Sequence, residues 1–294
     1  MHVPNSSRIA PWRQSYWDWR AAGNFIGGGS GAGLLVYAAI EPGAAPLLGP
    51  LGAALVAGGL FCVWLEIGRP WRALNVFLRP RSSWMSREAL IAPWLLVAGA
   101  AQAVPRLGWM RFVAAGLALA YLYCQARMLN AARGIPAWRH PRSVPLLIAT
   151  GLAEGAGLGV LVGGQLAQAT PTAFWPIGPV SLLSAALLLR IAALSLYTAG
   201  LRRDGAPRRV LAALSDYARV SLALDGCAVA AALAYAIRWQ IAPLIEAAAV
   251  LAVAVGWWLK HALVVRLSHN QGFALPMTPV RGVGVTGPGA RPGW

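Results

Sequence analysis

The chain has 294 residues, of which 58% are apolar and only 12% are charged. Soluble globular domains carry about 25% charged residues, so this composition excludes an ordinary soluble protein and indicates an all-α integral membrane protein. The formal net charge of +16 does not indicate a nucleic-acid-binding protein, because the basic residues are spread over loops and form no continuous basic face.

The N-terminal segment, residues 1–23, is polar and rich in tryptophan. It lacks the basic start, apolar middle and small-residue cleavage site of a secretory signal, so we expect it to be retained in the protein. Its Trp12, Trp17 and Trp19 are expected at the membrane interface, where tryptophan is enriched.

Eight apolar runs follow, each close to the length that a helix needs to cross a hydrocarbon core of about 30 Å. Residues 24–265 are therefore predicted to form a membrane domain of eight transmembrane helices. GGGSGAG in the first run and GLAEGAGLG in the fifth contain G-x-x-x-G spacings, which let helix backbones approach closely. Their positions are consistent with two four-helix bundles. The predicted spans are 24–40, 49–66, 88–104, 109–129, 144–164, 176–199, 220–238 and 243–265.

The basic residues indicate the orientation of these spans. Of the 25 Lys and Arg residues, 21 lie before the first span, around alternate loops or at the C-terminal end, where Lys260 is counted with them. The positive-inside rule places these loops and both termini in the cytoplasm, in a bacterial-type inner membrane. The tail, residues 266–294, is rich in Pro and Gly and cannot form a ninth span. It is expected either to be disordered or to lie along a partner subunit.

Three ionisable residues lie inside the predicted spans. Glu154 and Arg190 are expected at depths of about 15 and 14 Å from the cytoplasmic side, so they can pair near the middle of the membrane. Asp225 is expected closer to the cytoplasm. Charged groups in a span are costly and usually face a partner or a cavity. Two interpretations stay open: an ion pair that only fixes helix packing, and a proton route or polar cavity wall.

The stretch LEIGRPWRALNVFLRPRSSWMSREAL, residues 65–90, joins the second and third predicted spans. Glu66 ends one span and Glu88 begins the next, so both acids are expected at the cytoplasmic face. On residue type alone they are either partners of the neighbouring arginines, which at the surface contribute about 0–1 kcal/mol per pair, or part of a functional site.

The order of residues in this stretch resembles the NrfD/DmsC family, the eight-helix membrane anchors of polysulfide and dimethyl sulfoxide reductase-type complexes. The resemblance consists of an acid followed by x-G-R-P, a basic loop and then S-W-x-S-R-E. It continues in ARMLNAARGIPAWRHP and, more faintly, in HNQGFALPMTPVRG. The matching residues are Glu66, Gly68, Arg69, Pro70, Ser83, Trp84, Ser86, Arg87, Glu88, Arg127, Asn130, Pro136 and Trp138.

The resemblance implies a non-catalytic, quinone-reactive subunit that binds an iron–sulfur electron-transfer subunit and a molybdopterin (Mo or W) catalytic subunit. It implies electron exchange with menaquinone or ubiquinone at the membrane face, within the first four helices. Glu66 matches a family position that is histidine in some members, so either side chain could exchange a proton with a quinone oxygen. The implied site residues are Asn24, Glu66, Arg69, Ser86, Glu88, Tyr123 and Arg127.

The residues suggest two other functions as alternatives. A proton-coupled transporter or permease is indicated by Glu154, Arg190 and Asp225 inside the spans. A b-type cytochrome would need paired histidines deep in the spans, and none of the four histidines lies deep enough to make a convincing pair. The three cysteines stand singly in apolar runs. We therefore expect no haem, no iron–sulfur cluster and no other metal in this chain.

Overall fold

The computed structural model describes residues 13–67, 70–167, 178–239 and 241–270, and these residues are almost entirely helical. Within them no β-strand forms, and one isolated antiparallel bridge joins Arg13 to His269. The all-α character predicted from the composition is confirmed.

The α-helices of the described residues follow the order of the predicted apolar runs. A short 3₁₀ segment, Pro70–Leu78, lies between α2 and α3, and π-helical turns follow α8 and α9. The helices are α1 (Trp19–Ile40), α2 (Ala45–Trp64), α3 (Trp84–Ala101), α4 (Met110–Asn130), α5 (Pro136–Arg139), α6 (Ser143–Ala167), α7 (Pro179–Arg203), α8 (Arg208–Ala234) and α9 (Ala242–His261).

Six of these helices are long and apolar enough to cross a membrane, namely α2, α4, α6, α7, α8 and α9. By length and composition the chain therefore has the character of a multi-pass membrane protein. Helix α1 is outside this set because its glycines, Asn24 and Ser30 lower its mean hydropathy. Asn24 and Ser30 are both buried. Helix α3 is outside this set because it carries the charged residues Arg87 and Glu88 near its start.

Helices α1, α6 and α9 form the centre of the packing. Helix α1 contacts α2, α4, α6 and α9, while α6 also contacts α7 and α9; α3 packs on α2 and α4, and α8 on α7 and α9. The backbones of α1 and α6 touch at Gly33 and Gly155, where a Cβ on either residue would overlap the other helix. The close approach predicted from the G-x-x-x-G spacings is thus confirmed.

Helix α8 begins well before the predicted span 220–238. It starts at Arg208 and includes the charged residues Asp216 and Arg219 in its first half. A helix satisfies its own backbone hydrogen bonds, so it can continue beyond the apolar run into polar surroundings. Asp225 therefore lies in the second half of α8, and its expected depth, closer to the cytoplasm than Glu154 and Arg190, stays a prediction.

The N-terminal segment packs against the other end of the described chain. The backbone N–H of Gln14 donates to the carbonyl of Ser268 at 3.0 Å. The ring of Trp17 lies 5.0 Å from that of Trp138, measured between centroids, so Trp17 packs between helices, whereas Trp19 is 61% exposed. Trp12 lies outside the described residues. These contacts bring the start of α1, α5 and the end of α9 together at one end of the bundle.

Candidate functional site

A cavity of about 550 Å³ opens between the start of α1, the end of α2, the 3₁₀ segment and the start of α3. Three of its lining residues, Asn24, Ser86 and Glu88, are buried polar side chains that the sequence had assigned to the site. Most of the remaining wall is hydrocarbon and aromatic. The apolar wall includes Leu60, Trp64, Leu74, Phe77, Met85 and Met128.

The start of α3 places two of these polar groups. Ser83 caps the helix, because its Oγ accepts a hydrogen bond from the backbone N–H of Ser86 at 3.3 Å. Ser86 and Glu88 therefore lie in the first two turns of α3, where the helix enters the bundle. Both are less than 5% exposed, so their orientation is set by the cap and by packing.

The carboxyl group of Glu88 faces Asn24 on α1 and Tyr121 and Gln125 on α4. Within the described chain, Asn24 Oδ1, Glu88 Oε1 and the Tyr121 hydroxyl are buried without a well-aligned hydrogen bond, although Glu88 lies close enough to interact with Asn24 and Tyr121. A buried polar atom without a partner costs about 1–3 kcal/mol. Asn24 and Glu88 line the cavity, so a ligand with its own polar groups could satisfy their buried oxygens.

A glycine on α1 makes room for this cluster. The Cβ of a residue replacing Gly28 would lie 2.9 Å from the Tyr121 hydroxyl and would also meet Gln125 Nε2. The same Nε2 donates to the backbone carbonyl of Asn24 at 2.9 Å. The polar side chains of α4 thus lie directly on the backbone of α1 beside the cavity.

Glu66 does not line this cavity. It follows α2, is half-buried, and interacts with Asp18 and Arg20 at the start of α1. Burial raises the pKa of the Glu66 carboxyl above its usual value, the negative charge of Asp18 raises it further, and Arg20 opposes the rise. The structure therefore places Glu66 at the bundle end as a member of a small charged group.

Tyr123 and Arg127 lie beside the start of α3 and do not line the cavity. Tyr123 is 43% exposed and meets the Trp84 ring edge-on, with 5.5 Å between centroids. Two guanidinium groups lie over the same indole, Arg87 at 4.1 Å and Arg127 at 4.9 Å from its centroid. These residues join the start of α3 to the end of α4. The remaining predicted site residue, Arg69, lies outside the described residues.

A second polar cluster lies at the centre of the bundle around Glu154 on α6. Lys260 Nζ is 2.6 Å from Glu154 Oε2, and both side chains are at most 2% exposed. The same oxygen accepts a hydrogen bond from Ser30 Oγ at 2.6 Å, and Ser30 Oγ accepts one from Trp257 Nε1 at 2.9 Å. Ser30 is thus a partner of a buried carboxylate.

Arg190 on α7 completes this cluster. Its guanidinium pairs with both carboxylate oxygens of Asp225, with 2.9 Å from Nε to Oδ2, and Nη1 donates to the carbonyl of Ala252 at 2.7 Å. A Cβ at Gly256 would lie 2.5 Å from Glu154 Oε1 and 2.9 Å from Arg190 Nη1. The two ion pairs therefore meet at Gly256, and their four charges cancel.

Two expectations about this cluster were wrong. Glu154 and Arg190 were expected to pair with each other, but Glu154 pairs with Lys260 and Arg190 with Asp225. Lys260 was counted with the basic residues of the cytoplasmic surface, yet it is buried within the bundle. Position along the sequence indicates depth along a helix axis, but not the direction in which the helix face points.

Comparison with known proteins assigns no family to this chain. No protein-family model and no curated protein matches it. Within the described residues, no three His, Cys, Asp or Glu side chains come together as metal ligands. The cavity and the buried charges are therefore the features that indicate a function.

Proposed function

We propose that this chain is the membrane anchor and quinone-reactive subunit of an oxidoreductase complex of the NrfD/DmsC type. The cavity beside Glu88 supports the proposal most directly. A quinone has a flat ring with two oxygens and a long apolar tail. An apolar cavity with three buried polar groups at one side suits such a molecule, and its polar residues Asn24, Ser86 and Glu88 come from helices that the sequence resemblance also implicates.

The residues present fit the needs of a quinone head. A bound quinone supplies two-electron, two-proton redox chemistry. Asn24 and Ser86 can each donate a hydrogen bond to a ring oxygen. Glu88 can hold or release a proton beside that oxygen, and its burial against Tyr121 and Gln125 keeps bulk water away. Glu88 is thus the acid that the geometry favours as proton exchanger, while Glu66 stays a prediction.

The proposal includes the rest of the complex and its topology. The chain spans a bacterial-type inner membrane with eight helices in two groups of four, α1–α4 and α6–α9, and with both termini in the cytoplasm. An iron–sulfur subunit docks on the arginine-rich end of the bundle, where Arg79 and Arg81 are exposed close to the cavity. A molybdopterin catalytic subunit binds that subunit in turn.

Purification from native membranes in mild detergent tests the complex. We expect iron, molybdenum or tungsten, and quinone to copurify with the chain in fixed ratios. We further expect Glu88→Gln to abolish quinol-linked turnover while the assembled complex keeps its activity with a soluble dye. Equal loss of both activities would show that Glu88 is needed for assembly, and a chain that purifies without metal would contradict the proposed complex.

The buried charges favour a second candidate, a proton-coupled transporter. Glu154, Arg190 and Asp225 lie within helices that can span the membrane, and ionisable residues in such positions often belong to transport pathways. A chain that purifies alone, binds no quinone and carries solute into proteoliposomes when a proton gradient is imposed would favour the transporter.

A further inference from the structure

Lys260 is the only lysine of the chain, since every other residue among the 25 Lys and Arg is arginine. It is also one of the most deeply buried side chains, paired with Glu154 at 2.6 Å. Arginine cannot be deprotonated in proteins, whereas a buried lysine can exchange its proton. In the central cluster, Arg190 is therefore a fixed charge and Lys260 is the cation that can give up a proton.

Lys260 lies next to the polar groups that border the cavity. Its Nζ and Cε rest on Gly29 of α1, with Cε 3.2 Å from the position that a Cβ would take there. Gln125 Oε1 lies 3.6 Å from the same point. Gly29 thus leaves the space in which the amine of Lys260 and the amide of Gln125 approach each other.

Gly28, the residue before Gly29, leaves similar space on the side that faces the cavity. Gln125 Nε2 and the Tyr121 hydroxyl rest on Gly28, and both side chains face Glu88. Two consecutive glycines of α1 therefore make room for a row of buried polar groups, with a gap between Gln125 and Lys260. The row runs from the cavity to the centre of the bundle in the order Glu88, Tyr121, Gln125, Lys260 and Glu154.

We propose that Lys260 exchanges protons with the Glu88 cavity along this row, beside Gly28 and Gly29. In each transfer one O–H or N–H bond breaks as another forms, so no electrons are exchanged. A proton enters from water in the cavity, passes by Glu88 and the Tyr121 hydroxyl, and crosses the gap at Gln125 with the help of a bridging water. At the end of the row Lys260 gives one of its protons to Glu154 Oε2, 2.6 Å away, and takes the incoming proton from the water, so one N–H bond breaks as an O–H and a new N–H bond form. This route requires water in the cavity and does not require a quinone.

Because the chain contains one lysine, its side-chain amine can be observed selectively. The full chain labelled with ε-¹⁵N-lysine and placed in lipid nanodiscs should give a single side-chain amine signal, which Lys260→Arg removes. The rate at which its protons exchange with water measures access to Lys260. We expect Gln125→Leu to lower this rate at least tenfold. Gly116→Ala is the matched control, because nothing lies within 4 Å of the added Cβ, and it should leave the rate unchanged.

Two further variants keep the test decisive. Gly28→Ala should also slow exchange, because the atoms nearest to its Cβ belong to Tyr121 and Gln125, which it displaces; it replaces Gln125→Leu if that variant does not fold. Ala89→Trp fills the cavity, which Ala89 lines, and should slow exchange to a similar degree. Wild-type rates in a folded Gln125→Leu or Gly28→Ala variant would overturn the route. Failure of the wild-type chain to bind a short-chain quinone would contradict the proposed function but leave these rates unaffected.

Discussion

In the central cluster, two acids and two bases are buried as ion pairs, Glu154 with Lys260 and Arg190 with Asp225. Beside the cavity, Glu88 makes no ion pair among the described residues, and its polar neighbours Asn24, Tyr121 and Gln125 are uncharged amide and hydroxyl groups. Both clusters are almost inaccessible to water. They differ in that the first pairs each acid with a base, whereas the acid of the second has uncharged polar neighbours and no ion pair among the described residues.

Buried polar groups therefore have two different roles in this chain, to stabilise the fold and to bind a ligand. Removing one partner of a buried ion pair leaves an uncompensated charge, so the fold depends on each member of the central cluster. A buried group that has no partner can be replaced by a neutral isostere at little cost to the fold. Such a group contributes to function when a ligand supplies the missing partner. Substitutions in the central cluster should therefore lower stability. Substitutions beside the cavity should lower ligand affinity with little effect on stability.

Asp225→Ala should have the largest effect on stability. It leaves Arg190 buried without its carboxylate and should lower the free energy of unfolding by about 3–5 kcal/mol. Thermal unfolding of the detergent-solubilised chain measures this loss. The matched control is Asp216→Ala, which breaks the Asp216–Arg219 pair on the same helix; both partners are more than 70% exposed, so the loss should be about 0–0.5 kcal/mol. Equal losses of unfolding free energy in the two variants would show that the buried pair contributes no more to stability than the surface pair does.

The contact between the two central helices should be the next most sensitive feature. Gly155→Ala places a methyl group against the backbone of Gly33 and should destabilise the chain by about 1–3 kcal/mol, as overpacked cores are. Gly116→Ala, which meets nothing within 4 Å, should be neutral or slightly stabilising because alanine favours helix. Thermal unfolding of both variants tests this contact. If the two variants unfolded at the same midpoint temperature, the tight α1–α6 contact would be contradicted.

Glu88→Gln should show the opposite pattern from Asp225→Ala. It removes a buried carboxylate that lacks a cation, so stability should change by less than about 1 kcal/mol or increase. Affinity for a short-chain quinone should fall about tenfold, equivalent to about 1.4 kcal/mol, because a proton-exchanging partner is lost. Quenching of tryptophan fluorescence, with Trp64 in the cavity wall, can follow binding. A large loss of stability would show that Glu88 stabilises the fold, as the ion pairs of the central cluster do.

Glu66→Gln should have the smallest effect. The pKa of Glu66 is raised in the folded chain, so the folded state holds this proton more tightly than the unfolded state does. The favourable contribution of Glu66 is present at low pH and is lost as the pH rises through the raised pKa. The variant should therefore be slightly more stable than the wild type at neutral pH, by less than about 0.5 kcal/mol, and equal to it in acid. Unfolding midpoints across this pH range measure the difference.

The residues around the cavity show which parts of the site the sequence could predict. Asn24, Ser86 and Glu88 were predicted to share a site, and they line one cavity. Tyr121 and Gln125, which face Glu88, were not predicted. They stand in an apolar run where tyrosine and glutamine have no periodic signal, and only the rotation of α4 directs them toward α1. Tyr123, chosen on the same helix by depth, points instead to Trp84.

The sequence by itself determined the helical fold, the approximate places of the long helices and the burial of Glu154 and Arg190. These follow from local quantities: the length of an apolar run and the cost of charge within it. Only the tertiary structure decided which buried groups meet. Pairing depends on how each helix is rotated about its axis and how closely two backbones approach, and at Gly28, Gly29 and Gly256 the absence of a side chain allows distant residues to come together.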